Sequence, residues 1–310
     1  MAFLREFGSY LPSRVVTNDE IGVKVGVDFE WIRNVSGIEE RRFASENETV
    51  ASMATRAGEA CLSRSGVNPS EIGMVIVASG SAERQFPGPA ATVAKDLGCE
   101  SAVALDFPMA SAGSLFALSM ASRVAEQFRE VLVIGAEKMS DIVLREPMER
   151  GVAVLFGDGA GAALVSSTEG RAKIIESVIA TDGTYAEDLK LECEKPLMMN
   201  GRSVILQASR KIPAAIQNAL ERAEVLAEQV QVFLMHQANQ NLIDRVATAI
   251  GVSSELFYSN IRRYGNTSSA SMLIAADEWV REHGFQSDIP VVFAAFGAGF
   301  NWGALVARGV

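Results

Sequence analysis

AVALDFPMASAGSLF, residues 102–116, joins an apolar run to a serine that alanine and glycine flank. Val103 to Phe107 predicts a buried strand, and apolar residues recur at helical spacing from Ser111 onward. Ser111 is therefore predicted at a strand-to-helix turn, where free N–H groups and the helix dipole favour a nucleophilic or anionic oxygen. Serine is also a common helix N-cap. This stretch alone leaves both roles open.

Apolar strands and helices alternate around this turn. Strands are predicted at residues 74–80 and 131–135, and helices at 90–97 and from 111 onward. This order predicts a mainly parallel sheet covered on both faces, which is an α/β fold.

The second half of the chain repeats this plan. Strands are predicted at 174–180 and 232–235, helices at 204–225, 239–250 and 269–283, and a strand, turn and strand at 290–307. GDGAGAALVS at 157–166 resembles GAGFNWGALVA at 297–307. A weak internal duplication of this kind predicts two similar halves, residues 1–168 and 169–310. A strand rather than a helix follows each glycine run, so we expect tight turns that let backbone and ligand approach, as at Gly297, and no dinucleotide loop.

The composition predicts a folded protein of the cytoplasm. Hydrophobic residues make up 48% of the 310 residues, and the net charge of −10, without clustered Lys or Arg, argues against nucleic-acid binding. Cys61, Cys99 and Cys193 are scattered and no signal-peptide pattern is present, as expected in a reducing compartment. Glycines interrupt the apolar run 291–307, so a hairpin is expected there and no membrane span.

Two polar positions stand out as candidate catalytic groups. His236 is one of two histidines and closes an apolar strand, at the sheet edge where α/β folds bind ligands. Imidazole is the usual acid–base group near neutral pH, although a buried structural histidine is the alternative. Asn266 precedes a helix of small residues, where it is either a turn residue or an amide donor to an oxyanion. No second His or Cys stands at metal-ligand spacing, so no metal site is expected.

Several motifs together resemble β-ketoacyl-acyl-carrier-protein synthase III of the thiolase superfamily. They are ASAG at 110–113, HQAN at 236–239, GNTSSAS at 265–271 and FGAGFNWGA at 296–304, with further matches at Trp31-Ile, Phe86-Pro, Arg150-Gly and FGDGAGA at 156–162. Each motif is short, but the set occurs in the family's order from about residue 5 to the end of the chain.

This resemblance implies a five-layer α/β/α/β/α fold, normally a homodimer. It implies an acyltransferase that condenses an acyl-CoA starter with malonyl-acyl carrier protein with decarboxylation, and that needs no cofactor beyond the CoA thioester substrate. Ser111 matches the family's nucleophilic cysteine, which takes the acyl group. His236 and Asn266 match the residues that assist decarboxylation and hold the enolate oxygen.

The resemblance also implies substrate contacts. Trp31 and Arg150 match the pair that sandwiches the CoA adenine, although a partly buried anchor is the alternative for Trp31. Phe86 matches a residue that reaches across the dimer to the acyl pocket. The segment 237–241, with Gln237, Asn239 and Asn241, matches the contact with the carrier protein.

Three positions depart from the family pattern. Ser111 stands in place of the cysteine, and a hydroxyl is barely ionised at neutral pH. Val35 and Asn241 replace arginines that face the CoA phosphates and the carrier protein, where charge-assisted hydrogen bonds are expected.

These departures leave several interpretations open. Ser111 is either a natural nucleophile, which would suit a specialised serine-dependent acyl transfer, or an engineered replacement of cysteine. A serine hydrolase using Ser111 and His236 is a second possibility, although the sequence lacks the first glycine of the G-x-S-x-G elbow. A degenerate subunit that supports an active partner is the third.

Overall fold

The computed structural model describes residues 1–310, which form thirteen strands and eleven helices. The strands are β1 (Ala2–Tyr10), β2 (Arg14–Thr17), β3 (Glu40–Phe43), β4 (Ile72–Ala78), β5 (Val103–Phe107), β6 (Glu130–Glu137), β7 (Gly159–Ser166), β8 (Ala172–Thr181), β9 (Leu189–Lys190), β10 (Met198–Met199), β11 (Val232–Met235), β12 (Pro290–Gly297) and β13 (Asn301–Gly309). The helices are α1 (Asn18–Val25), α2 (Phe29–Ser36), α3 (Val50–Ser65), α4 (Pro89–Asp96), α5 (Gly113–Phe128), α6 (Ser140–Val143), α7 (Arg150–Ala153), α8 (Gly201–Arg222), α9 (Gln240–Ile250), α10 (Ile261–Tyr264) and α11 (Ser271–Glu282).

Nine strands form one continuous sheet in the order β11-β12-β13-β8-β1-β7-β6-β4-β5. The pairs β4–β5, β4–β6 and β11–β12 are parallel. The five pairs between β6 and β12 in this order are antiparallel: β6–β7, β7–β1, β1–β8, β8–β13 and β13–β12. The prediction of a mainly parallel sheet is therefore wrong. Alternating helices and strands indicate crossovers, but they do not reveal that β1, β7, β8 and β13 run antiparallel to their neighbours.

The strand order is repeated in the two halves of the chain. The series β4-β6-β7-β1 in the first half corresponds to β11-β12-β13-β8 in the second, and the short pairing of β1 with β8 joins them. We propose that the boundary between the halves lies at residues 168–169, in the segment between β7 and β8.

Helices lie in three layers around the two halves of the sheet. The helix α3 packs on strands of the first half and α8 on strands of the second, whereas α5 and α11 contact strands of both. The central layer is apolar because α5 buries most of its length, including Leu115, Phe116 and Leu118. The order from one outer face to the other is helix, sheet, helix, sheet, helix.

The strand β5 lies at one end of the sheet and is not buried as predicted. Val103 is 50% exposed and Leu105 is 38% exposed. The edge position explains the difference, because β5 pairs with β4 on one side only. An apolar strand sequence indicates which residues pair, but it does not indicate whether the chain itself covers them.

No helix combines the length and the apolar character that a membrane crossing requires. The apolar run 291–307 forms the antiparallel hairpin of β12 and β13, as its glycines predict.

Candidate active site

Ser111 lies in a strained turn directly before α5. Its φ is 59°, in the left-handed region that costs a residue with a side chain roughly 1–2 kcal/mol. The N-cap of α5 is Ala112, and no side chain caps this helix. The possibility that Ser111 serves as the N-cap is therefore wrong, and its hydroxyl forms no hydrogen bond within the protein.

One pocket brings the three candidate catalytic residues together. Ser111, His236 and Asn266 line it along with Asn239 and Gly297. The remaining lining is mainly apolar and comes from the start of α8 and its surroundings, with Leu155, Phe156, Leu189, Met199, Gly201, Val204, Ile205, Ala208, Ile212, Ala238, Leu242 and Phe296. Such a pocket suits an apolar or amphipathic chain that leads to a few polar groups.

Gly297 lets the β12–β13 hairpin approach the Ser111 turn closely. A Cβ at this position would lie 2.5 Å from the Ala110 carbonyl oxygen and 3.0 Å from Ser111 Cβ. The predicted close approach of backbone at this glycine is thus present in the structure.

His236 follows β11 and is held by the first residue of α11. Its Nδ1 lies 2.6 Å from Ser271 Oγ, and the same oxygen accepts the Gln237 N–H at 3.0 Å. Ser271 is 2% exposed, and the only acceptor within reach of its hydroxyl proton is His236 Nδ1. Since buried hydroxyl protons are almost always bonded, Ser271 donates to Nδ1 and leaves the His236 proton on Nε2.

The electrostatic setting keeps His236 uncharged. Burial lowers the pKa of His236 from 6.5 to about 4, because the charged imidazolium would lose its hydration. A neutral ring protonated at Nε2 donates a hydrogen bond and cannot accept a proton at that atom. This arrangement suits the stabilisation of a negative oxygen better than the deprotonation of a serine.

Asn266 is oriented by its own loop. Its Oδ1 accepts the Ser268 N–H at 2.8 Å, which fixes the amide orientation and leaves the Nδ2 protons without a partner in the protein. The main chain is anchored between Leu155 and Gly157 by bonds of 2.9 and 3.0 Å. Asn266 therefore offers an amide donor at the pocket.

Trp31 and Arg150 meet at a separate surface pocket. The guanidinium carbon of Arg150 lies 5.2 Å from the centre of the Trp31 ring, and both residues line a depression formed with α1 and the start of α2. Since the two groups contact one another, a flat ring bound between them would require Arg150 to move.

The sequence matches two models of one family. The model of 3-oxoacyl-[acyl-carrier-protein] synthase III matches residues 105–183, and the model of its C-terminal part matches residues 220–308. The chain is 36% identical to the β-ketoacyl-[acyl-carrier-protein] synthase III of Gloeobacter violaceus, over 97% of this chain and 96% of that one. It is 35% identical to the enzyme of the same name from Aquifex aeolicus, over 97% of both chains.

Solved structures agree with this relationship. The crystal structure of 3-oxoacyl-[acyl-carrier-protein] synthase III from Aquifex aeolicus superposes with a TM-score of 0.95 at 34% identity, covering 99% of this chain and 100% of that one. The priming β-ketosynthase of the R1128 polyketide pathway superposes with a TM-score of 0.93 at 32% identity, covering 100% and 96%. The chain belongs to the β-ketoacyl-[acyl-carrier-protein] synthase III family. The predicted thiolase-like α/β fold is confirmed.

Within this synthase III fold, the segment after His236 differs from its predicted use. Gln237 is fully buried, and its side chain bonds the carbonyl oxygens of Met235 and Tyr258 at 2.7 and 3.2 Å and the Asn260 N–H at 3.2 Å. The prediction that Gln237 contacts a carrier protein is therefore wrong. The residue follows a buried strand directly, and its amide satisfies backbone groups that would otherwise be unpaired.

Asn239 and Asn241 connect α9 to the end of α2. Asn239 donates to the Val35 carbonyl at 2.7 Å and accepts the Asn241 N–H at 2.9 Å, while Asn241 donates to the carbonyls of Asn34 and Val35. Asn241 is exposed and Asn239 also lines the pocket of Ser111. A contact of these two residues with a carrier protein stays a prediction.

Phe86 lies apart from the pocket within one chain. Its side chain is 86% exposed on the loop before α4. The predicted role in an acyl pocket requires a second subunit and stays a prediction.

Two serines that support the site were not recognised from the sequence. Ser271 orients His236, and Ser268 accepts the Ser111 N–H at 3.0 Å. Both lie in the quoted GNTSSAS motif, but a single sequence does not distinguish a supporting hydroxyl from an ordinary small residue at the start of a helix. No three His, Cys, Asp or Glu side chains lie together as a metal site would need, and independence from metals and cofactors stays a prediction.

Proposed function

We propose that this protein condenses an acyl-CoA starter with malonyl-acyl carrier protein and releases carbon dioxide. The observation that carries the proposal is one pocket that holds Ser111, a His236 ring protonated at Nε2 and the free amide donor of Asn266. The relatives are named β-ketoacyl-[acyl-carrier-protein] synthase III, and membership of that family supports the proposal here.

In the first step the Ser111 hydroxyl would attack the thioester carbonyl of the acyl-CoA. The acyl group passes to Ser111 Oγ as an ester, and CoA leaves as the thiol with the serine proton. Because a serine hydroxyl is barely ionised at neutral pH and His236 Nε2 already carries a proton, we expect this step to be slow.

In the second step malonyl-acyl carrier protein would occupy the same pocket. Loss of carbon dioxide leaves an enolate, whose oxygen accepts hydrogen bonds from His236 Nε2 and Asn266 Nδ2. The enolate carbon then attacks the acyl ester, and the C–O bond to Ser111 Oγ breaks as 3-oxoacyl-acyl carrier protein forms. The released Ser111 alkoxide takes a proton from water.

The same geometry disfavours the serine hydrolase. A hydrolase of this type needs a histidine nitrogen that accepts the serine proton. The accepting nitrogen of His236 is Nδ1, which is already bonded to Ser271, so it is not available to Ser111. Rapid turnover of a simple activated ester would reverse this conclusion.

The protein is proposed to act as a homodimer in the cytoplasm. The support for a dimer is the exposed apolar edge strand β5, because unpaired strand edges readily join a second chain. Trp31 and Arg150 would bind the CoA adenine, and Phe86 would complete the acyl pocket of the partner.

Mass spectrometry of the intact protein tests the acylation step directly. After incubation with acyl-CoA, we expect a mass gain of one acyl group that maps to a peptide with Ser111 and is absent from Ser111→Ala. An unmodified protein after prolonged incubation would exclude Ser111 as the nucleophile.

A further inference from the structure

A fully buried carboxyl group lies behind the catalytic pocket, at the end of β6. Glu137 is 0% exposed and forms no ion pair with any Lys, Arg or His side chain. Its neighbour Lys138 pairs with Asp141 instead, at 3.2 Å. None of the steps proposed above uses this group.

Glu137 is surrounded by serine hydroxyls and backbone N–H groups from two loops. From the loop after β4 it accepts bonds from the Gly80 N–H at 3.0 Å and from the hydroxyls of Ser79 and Ser81. From the loop after Asn266 it is bonded to the hydroxyls of Ser268 at 2.9 Å and Ser269 at 2.8 Å.

The bond to Ser268 connects this carboxyl to both catalytic loops. The hydroxyl of Ser268 donates to Glu137 and accepts the Ser111 N–H at 3.0 Å, while the Ser268 N–H orients the Asn266 amide. Ser111 and Ser268 both have positive φ, 59° and 49°, a conformation that L-residues avoid unless surrounding bonds hold it. Glu137 therefore holds the two strained residues that set the distance between Ser111 and Asn266.

The two oxygens that flank the Ser269 hydroxyl favour a proton on this carboxyl. Ser269 Oγ lies 2.9 Å from the Ala78 carbonyl oxygen and 2.8 Å from Glu137 Oε1. Its single hydroxyl proton can satisfy only one of these oxygens, and neither a carbonyl nor an ionised carboxylate supplies another. A protonated Glu137 that donates to Ser269 leaves the Ser269 proton free for the Ala78 carbonyl. The Gly80 and Ser269 N–H groups and the Ser268 hydroxyl remain donors to the same carboxyl oxygen. Burial also raises the pKa of Glu137.

We propose that Glu137 is a positioning residue that, in its protonated form, ties the Asn266 loop to the Ser111 turn. The proposal rests on the proposed function for its catalytic consequence, but its structural claim does not require condensing activity. An amide should replace this protonated carboxyl, because a glutamine also presents one acceptor oxygen and a donor group.

Infrared spectroscopy at pH 8 tests the protonation state without any activity measurement. We expect the C=O band of a protonated carboxyl in the wild-type protein and its loss in Glu137→Gln. Asp158, whose pKa burial raises to about 6, is ionised at that pH and does not contribute. Absence of the band, or its persistence in Glu137→Gln, would overturn the assignment.

Kinetics test the positioning role, with Glu130 as a matched control. Glu130 is a buried glutamate at the opposite end of β6, far along the strand from the pocket. It accepts hydrogen bonds from Ser166 Oγ at 2.8 Å and from Arg5 Nη1 at 3.0 Å, so it differs from Glu137 in having an ion-pair partner. Glu137→Ala should lower kcat roughly 100-fold with little change in KM for acyl-CoA, as for a misplacement of about 1 Å. Glu137→Gln should restore most of the rate, and Glu130→Gln should leave kcat unchanged. Equal kcat values for folded Glu137→Ala and Glu130→Gln would contradict the role.

Replacing Ser111 by cysteine allows the positioning role of Glu137 to be tested even if the protein does not condense substrates. In a Ser111→Cys background, the rate of alkylation by iodoacetamide reports the placement of the side chain whether or not the protein condenses substrates. We expect Glu137→Ala, or Ser268→Ala if the former does not fold, to change this rate about tenfold, whereas Glu130→Gln should not. An unchanged alkylation rate in both variants would refute the proposal even if the wild-type protein proves to be an active synthase.

Discussion

At the scale of single residues, the hydroxyl of Ser271 decides what His236 can do. A bond from this hydroxyl to Nδ1 places the ring proton on Nε2, so that His236 faces the pocket as a donor. A site in which His236 and Asn266 both donate is organised around a negative oxygen on the substrate. Ser111 is then left without a nearby base.

The tautomer of His236 is directly measurable because the chain has only two histidines. Nitrogen-15 NMR of a histidine-labelled sample should show His236 protonated at Nε2 and unprotonated at Nδ1. Ser271→Ala should yield a mixture of tautomers, and Ser271→Thr, which keeps the hydroxyl, should retain the single one. A protonated Nδ1 in the wild-type protein would contradict the hydrogen-bond assignment.

The depressed pKa of His236 predicts how the decarboxylation step depends on pH. The ring charges only near pH 4, whereas an ordinary histidine would charge near 6.5. The rate of malonyl decarboxylation should therefore be nearly constant from pH 7 down to about 5. A loss of rate with a midpoint near 6.5 would show that His236 is hydrated rather than buried in the working enzyme.

The same shift fixes the sign of the effect of His236 on stability. The pKa of His236 is lower in the folded protein than in the unfolded chain, so the unfolded chain binds a proton first as the pH falls. The stabilisation of the folded protein by neutral His236 is therefore fully present above pH 6.5 and is lost as the pH falls toward 4.

At the scale of elements, the contact of the β12–β13 hairpin with the Ser111 turn allows no side chain at Gly297. Replacement by alanine places a Cβ 2.5 Å from the Ala110 carbonyl oxygen, so the turn must move. Gly297→Ala should lower the free energy of unfolding by about 1–3 kcal/mol and reduce kcat. Chemical denaturation and steady-state kinetics measure the two effects.

Gly183 supplies the matched control for this substitution. No atom lies within 4 Å of the position that its Cβ would occupy, and its φ is not in the left-handed region. Gly183→Ala should change stability by less than about 1 kcal/mol and leave kcat unchanged. Full activity in Gly297→Ala would mean that the hairpin does not position Ser111.

At the scale of the whole molecule, the exposed edge strand β5 predicts association of two chains. Val103 and Leu105 leave apolar surface at the end of the sheet, and a charge on an edge strand opposes pairing. Val103→Lys should shift the protein from dimer to monomer in sedimentation velocity. Leu226→Lys, at an apolar residue outside the sheet that is 60% exposed against 50% for Val103, should not. A monomeric wild-type protein would refute the dimer.

The sequence predicts the elements of this fold better than their arrangement. Apolar runs and glycine turns located the strands and the β12–β13 hairpin, because these features depend on neighbouring residues. The antiparallel centre of the sheet and the exposure of β5 depend on partners distant in the chain, so local patterns did not reveal them. Gln237 illustrates the same limit at one residue, since only the structure shows the backbone groups that its amide satisfies.

The candidate site was likewise predicted only in part from the sequence. The order of motifs identified Ser111, His236 and Asn266, and the structure brings all three to one pocket. The hydroxyls that determine proton positions, Ser268 and Ser271, were not recognised, because their importance lies in hydrogen bonds across 157 and 35 residues of sequence.

Decarboxylative condensation in this pocket would use residue 111 as the acyl carrier. The most direct test is the Ser111→Cys variant, supplied with acyl-CoA and malonyl-acyl carrier protein and followed by intact-mass measurement of the carrier protein. A thiol is partly ionised at neutral pH, so acyl loading should accelerate and 3-oxoacyl-acyl carrier protein should accumulate, faster than with the wild-type protein and with loss of carbon dioxide. A carrier protein that remains malonylated in the presence of both the variant and the wild-type protein would show that this pocket does not condense these substrates.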